Sequence, residues 1–467
     1  MPPSARVTGP RTGQPLTMET AYRLAARNPL EAVARSLALV GGAAVLLALF
    51  LASGVLLSRD PLPLAVVLAI GIGLLATLFA AIARYDAAVA LGVLLLAAVR
   101  LEPAPADVLF GVVIAVALTT GRFRLTRVPL GVTLLVTFFL ALNLLASVEV
   151  VDPARAVEFF AITFYLAVLG IWLTGYVQSF PRARLVVVAY LVGAVGSATL
   201  ACLALFLPLP AREAFVDGPR AQGLFKDPNV FGPFLVPAAL ILMEEIASPR
   251  LLRLRQTTKL LLLSVVTLGV LFSFSRAAWL NLAVASAVLL AVFALRRGGG
   301  RRVMTLFAVV LLAAAAGFGV VSATSTAGFL QERASFQVYD VERFGAQASG
   351  VDLAAQYPLG IGPGQFERVS DLSAHSTYVR ALAEQGALGL VAFLALMLLT
   401  LGFAARSAVL GRDTYGIGSA ALLAAWCGLL ANSLFVDTLH WRHLWLLAAL
   451  IWAGAALHAR YPSRYET

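Results

Sequence analysis

Four short polar stretches interrupt an otherwise apolar chain, and they carry side chains suited to holding and transferring a charged group. The first is Arg220-Ala221-Gln222-Gly223-Leu224-Phe225-Lys226-Asp227-Pro228-Asn229. A guanidinium is a planar fork of donors that matches phosphate oxygens two at a time. Asn229 stands where it can cap a following helix, whose N-terminus also favours an anion. The same stretch reads equally well as an interfacial arginine beside a capped turn. The second is Phe272-Ser273-Phe274-Ser275-Arg276, where two apolar runs meet with almost no loop. Arg276 is costly there unless it is paired, faces water, or snorkels to the headgroups with Trp279 as an interfacial anchor. The third is His375-Ser376-Thr377-Tyr378. An imidazole exchanges a proton near neutral pH and suits a general base, although a lone histidine is more often structural. The fourth holds Asp437, His440, Trp441, Arg442 and His443, and reads foremost as a polar and aromatic belt at a membrane interface.

The longest polar interval, from about Thr324 to Leu390, carries Arg343 and the turn Pro358-Leu359-Gly360-Ile361-Gly362-Pro363-Gly364. His375, Glu384, Gly386 and Gly389 follow. A connection of that length inside a compact protein is functional or disordered, and its density of turn residues argues for order. No HExxH, P-loop or CxxC pattern is present, so no metal or cofactor is expected. Cys202 and Cys427 fall within apolar runs and read as small core residues. Glu244-Glu245 sits toward the inner end of its expected span, away from chemistry on the outer side.

The elements that must position these residues are membrane spans. Of the 467 residues 60% are hydrophobic and only 13% charged, about half the charged share of a soluble protein. Runs of roughly bilayer length are expected near 36–57, 62–83, 87–100, 104–120, 128–147, 155–178 and 183–207. A second set is expected near 229–246, 257–274, 276–295, 303–323, 384–405, 415–436 and 440–459. The pair at 87–120 is short enough to be re-entrant or one broken helix. All are helical, because in lipid only helices and closed barrels satisfy the backbone. The expected fold is an all-α polytopic membrane protein with about 12–14 transmembrane helices and one long periplasmic loop carrying short helices. The segments are a cytoplasmic N-terminal stretch 1–35, a scaffold 36–180, arginine-bearing helices 181–323, the loop 324–383 and C-terminal helices 384–467. No cleavable signal pattern is visible in 1–35.

The net charge of +11 comes almost wholly from arginine, and its placement argues for topology rather than nucleic-acid binding. Alternating the spans puts 23 of the 35 Arg and Lys residues on one side. The positive-inside rule makes that side cytoplasmic, with both termini inside. All four polar elements then share the outer face, where clustered polar groups in a bundle mark a site.

Taken together, Arg220 with Gly223 and Pro228-Asn229, Ser275-Arg276, Arg343, the Pro358–Gly362 turn, His375 with Tyr378, and Glu384, Gly386 and Gly389 resemble the O-antigen ligase and polymerase family of bacterial inner-membrane glycosyltransferases. The resemblance covers roughly 185–460, and residues 1–180 carry no motif. The family often has Asn after the histidine, where this chain has Ser376. The resemblance implies transfer of a glycan from an undecaprenyl-diphosphate carrier on the outer face, without nucleotide sugar or metal. Arg220 and Arg276 would clamp the diphosphate, with Arg343 a third, Asn229 and Tyr378 would bind substrate, and His375 would act as base. The acceptor stays open among lipid A-core, a lipid-linked repeat and a protein. A transporter that binds a small anion through the same arginines is the alternative from another class.

Overall fold

The computed structural model describes residues 73–461 apart from 74, 76, 149, 297–299, 371, 372 and most of 301–337. The N-terminal segment 1–35, the expected spans near 36–57 and 303–323, most of that near 62–83 and the head of the long loop lie outside the described residues. The chain divides into two units, Met1–Phe79 with Ala115–Arg122, and Ala80–Ile114 with Phe123–Thr467. All four polar elements belong to the second.

That unit is almost wholly helical. Its first helices are α1 (Tyr85–Leu95), α2 (Pro105–Thr119, which runs on into the first unit), α3 (Leu130–Leu145), α4 (Pro153–Tyr176) and α5 (Phe180–Phe206). A hairpin of β1 (Val216–Asp217) and β2 (Arg220–Ala221) precedes α6 (Pro228–Ala247), α7 (Gln256–Phe272) and α8 (Arg276–Leu295). Then come α9 (Val338–Gln356), the short α10 (Phe366–Val369), α11 (Thr377–Val409), α12 (Ser419–Asn432) and α13 (Arg442–Arg460). Five described helices, α4, α5, α6, α8 and α11, are long and apolar enough to cross a membrane. The protein is an all-α polytopic membrane protein. The short pair near 87–120 is two separate helices, α1 and α2.

Helix starts follow local chemistry. Asp152, Asp227, Ser275 and Ser376 each accept a backbone N–H of the first turn, and Pro at the first helical position follows both aspartates. The expected cap Asn229 is therefore corrected. Asp227 caps α6, its carboxylate accepting the Asn229 N–H at 2.8 Å, because it stands directly before Pro228. α6 is the most buried of the long helices and packs against α5, α7, α8 and α12. It forms the centre of the arginine-bearing half.

Two expectations for the long loop change. It holds α9, a helix of 19 residues, where only short helices were expected. α11 begins at Thr377 rather than at 384, because its first turns bury Arg380 and Glu384 as an ion pair. Two charges in an apolar window hide a helix start from a hydropathy reading.

Candidate active site

The start of α11 is organised by a break at Gly386, whose backbone (φ 70, ψ −177) leaves the helix for one residue. A break at that point removes the helical partners of the Ala383 and Glu384 carbonyls. The glycine turn supplies replacements: Ile361 N–H donates to Ala383 O and Gly362 N–H to Glu384 O, both at 3.0 Å. The Glu384 carboxylate accepts from Gly364 N at 2.9 Å and Phe366 N at 3.3 Å. A Cβ at Gly360 would strike the Glu384 carbonyl, and one at Gly386 the Pro358 carbonyl. Both glycines are thus demanded by backbone meeting backbone, at positive φ.

The other side of the turn is held by the N-terminus of α4. Gln365 exchanges hydrogen bonds with the Asp152 main chain at 2.8 and 3.0 Å, and Arg155 Nε donates to Gly364 O at 2.6 Å. Glu367 lies between Arg155 and Arg380, accepting hydrogen bonds from both. Burial alone would raise the Glu367 carboxyl, but the hydrogen bonds and charge of Arg380, with Arg155, hold it below the usual carboxylate range. Arg380 is 4% exposed and pairs with Glu384 at 2.8 Å and Asp437 at 2.7 Å as well as with Glu367. One guanidinium therefore ties together the loop, its own helix and the crossing between α12 and α13.

Arg380, Glu367 and Arg155 were not singled out from sequence. The signal was present only in part, since Arg380 and Glu384 stand at i, i+4 on one helical face.

Arg220 reaches the short α7–α8 turn that leads into Arg276. Arg220 Nε donates to Ser273 O at 3.0 Å, and Nη2 donates to Asn229 Oδ1 at 3.1 Å. Asn229 thus orients the arginine. Arg276, half buried, opens α8 directly after the cap Ser275. Gly232 of α6 lies against Ser273 and Ala278, bringing the starts of α6 and α8 together.

His375 is half buried and sits at φ +46, a left-handed conformation uncommon for a residue with a Cβ. Such residues persist where surrounding contacts over-determine them. Here the next residue caps α11, and Thr377 N–H donates to Ser433 O at 3.0 Å. Gln347 of α9 donates to the His375 and Leu434 carbonyls, both at 3.4 Å. Tyr378 OH donates to Leu430 O at 3.0 Å, so its hydroxyl braces α11 on α12. Arg343 lies on α9, and its side chain is outside the described residues.

The end of α12 is common to these pieces. Gly428 abuts Asn281 near the start of α8, Leu430 and Ser433 meet the start of α11, and Glu244 at the far end of α6 accepts the Ala421 N–H at the start of α12. The starts of α6, α8 and α11 therefore stand at one end of the bundle. Behind them, Asn281 Oδ1, both amide atoms of Asn432 and His443 Nε2 are buried without a hydrogen-bond partner among the described residues. Leaving a buried polar atom unpaired costs about 1–3 kcal/mol, so this end concentrates polar capacity that the fold itself does not use.

The expected interfacial belt at 437–443 is corrected. Asp437 pairs with Arg380, Arg442 with Asp107, His440 Nε2 lies 2.9 Å from Thr163 Oγ1, and His443 stacks on Trp441. These are internal bracing contacts, because the crossing is pressed between α4, α6 and α11 rather than laid on lipid. Glu245 is likewise structural: its carboxylate accepts from the N–H groups of Arg250, Leu251 and Leu252 and pairs with buried Lys259 at 3.3 Å.

Residues 260–394 match the family model described as O-antigen ligase. No curated protein matches the chain. The matched stretch runs from within α7 into α11 and contains Arg276, Arg343, the glycine turn and His375; Arg220 and Asn229 precede it. Over this stretch the chain is similar to the O-antigen ligase family, a family of enzymes.

Proposed function

We propose that this enzyme moves a glycan from an undecaprenyl-diphosphate carrier to an acceptor hydroxyl on the periplasmic face of the bacterial inner membrane, with inversion and without a metal. The acceptor oxygen attacks the anomeric carbon as its proton passes to His375. The bond from that carbon to the diphosphate breaks, and undecaprenyl diphosphate leaves with its charge held by Arg220 and Arg276. Asn229 fixes the Arg220 fork through Nη2, while Nη1 lies 3.8 Å from the Asp217 carboxylate. Tyr378 keeps the start of α11 seated, and Arg343 is the third cation. Membrane lipid surrounds the apolar carrier tail.

The observation that carries this reading is the common end of α6, α8 and α11. It brings Arg276 at the start of α8, His375 just before the start of α11, and Arg220, tied to Asn229 at the start of α6, around the end of α12. Helix N-termini and arginines both favour an anion, and a base beside them meets a hydrophilic acceptor.

Purified protein supplied with lipid-linked oligosaccharide and, in separate reactions, lipid A-core, a lipid-linked repeat or a glycosylatable protein should release undecaprenyl diphosphate with one acceptor. That outcome also names the acceptor class. Release with none of them would reject the reading.

A further inference from the structure

A cavity lies at the other end of the bundle from His375. It has a volume of about 320 Å³ and is lined by Arg127, Arg406, Arg412 and Arg460, with Val128 and Phe403 on its apolar wall. From Gly386 to Arg406, α11 covers roughly 30 Å at about 1.5 Å per residue, close to one hydrocarbon thickness. The cavity and His375 therefore face opposite interfaces.

We infer that this cavity binds the headgroup of an anionic phospholipid. Four cations converge from three separate places: the turn before α3, the end of α11 with the turn after it, and the end of α13. None of the lining residues is acidic. Other arginines at this end are matched to carboxylates, Arg250 to Asp413 and Arg296 to Glu244, both at 3.9 Å. Arg127 and Arg406 form no ion pair with a carboxylate among the described residues. Topological arginines need only stay on their side of the bilayer; these also share a concave wall with apolar side chains. The site is built as well as charged. Arg460 is held by Gln178 Oε1 at 2.8 Å, and His458 Nε2 lies 2.9 Å from Asp413 O. A phosphodiester would accept from the guanidinium forks while its acyl chains lie on Val128 and Phe403. The inference does not depend on the reaction proposed at the opposite end.

The test is native mass spectrometry of the full chain released from micelles, titrated separately with dioleoylphosphatidylglycerol, tetraoleoyl cardiolipin, dioleoylphosphatidylcholine and undecaprenyl phosphate. The two anionic phospholipids should be retained over phosphatidylcholine. The double variant R127Q/R406Q should lose that retention by about tenfold or more, whereas R127K/R406K, which keeps the charge, should lose less. R253Q, at the same end but outside the cavity, should behave as wild type. A thermal unfolding midpoint of R127Q/R406Q in detergent, unchanged from wild type, shows that the variant is folded. Equal retention of phosphatidylcholine, or undiminished retention by R127Q/R406Q, overturns the site. Preferential capture of undecaprenyl phosphate overturns the phospholipid assignment in favour of the carrier.

Discussion

Arg380 Nε lies 2.7 Å from the Asp437 carboxylate, joining the first turn of α11 to the crossing between α12 and α13. His375 and Tyr378 flank the same turn, so this ion pair fixes where the imidazole can stand. Because Glu367 and Glu384 share the guanidinium, removing it leaves three carboxylates near one another in a largely buried place. Breaking a buried ion pair from one side costs about 3–5 kcal/mol. Arg380→Ala should lower the thermal unfolding midpoint and expose residues 357–376 to protease. Arg380→Lys should restore part of the stability, since one ammonium cannot serve three carboxylates. An unchanged midpoint in Arg380→Ala would remove Arg380 from its central place.

Acid should loosen the same cluster through Glu367. Its carboxyl is held below its usual value in the fold, so its contribution is fully present above the ordinary carboxylate range. That contribution is lost as pH falls through the lower folded value. Protection of residues 360–370 from hydrogen exchange, after correction for the intrinsic pH dependence of the amides, should therefore be flat from about pH 8 to pH 5 and fall below about pH 4. Glu367→Gln should exchange faster at neutral pH and respond less to acid.

Arg220 and Arg276 should matter for shape as well as charge. Arg220 already spends Nε on Ser273 O and Nη2 on Asn229. Lysine cannot reproduce both and still face a phosphate. Donor affinity, measured by retention of lipid-linked oligosaccharide, should fall about tenfold or more in Arg220→Lys and in Arg276→Lys with the fold intact. Asn229→Ala should weaken donor binding less. Near-normal affinity in both lysine variants returns these arginines to an interfacial role.

His375→Ala should insert and bind donor normally while transfer falls by about 10²–10⁴-fold, the usual worth of a general base. Residual transfer above about a tenth of wild type is too much for a lost base. It would assign His375 to positioning the acceptor, and His440 and His443 would be tested next.

The two ends of the bundle should label from opposite sides of the membrane. Gly350 is unsuited to a probe, since a side chain there would strike Val379 and Phe366. Gly345, exposed with open space around it, is the better site on α9. In a background lacking Cys202 and Cys427, G345C should react with an impermeant maleimide from outside and L254C only after permeabilisation. Labelling of both from one side overturns the orientation.

Amino-acid order by itself determined the class of protein and the places where chemistry could occur. Apolar runs of bilayer length must be helices, because lipid offers the backbone no other partner. Their boundaries at α4, α6, α8, α12 and α13 fell within a few residues of those expected, since caps, prolines and arginines mark them locally. The motif residues, with the intervening loop and its glycine turn, were equally legible and pointed to the family that the matched domain bears out. What only the tertiary structure decided is who partners whom. Asp227, not Asn229, caps α6, which releases Asn229 to hold Arg220. The glycine turn exists to satisfy carbonyls freed by the break at Gly386, more than twenty residues on. Arg155 reaches Gly364 and Glu367 across more than two hundred residues of sequence, and the 437–443 crossing turns inward onto Arg380 and Asp107. Each of these depends on which helices lie side by side, and local propensity carries no information about that. A buried charge is tolerated only where another element delivers its counter-charge, so its role stays hidden until the bundle closes.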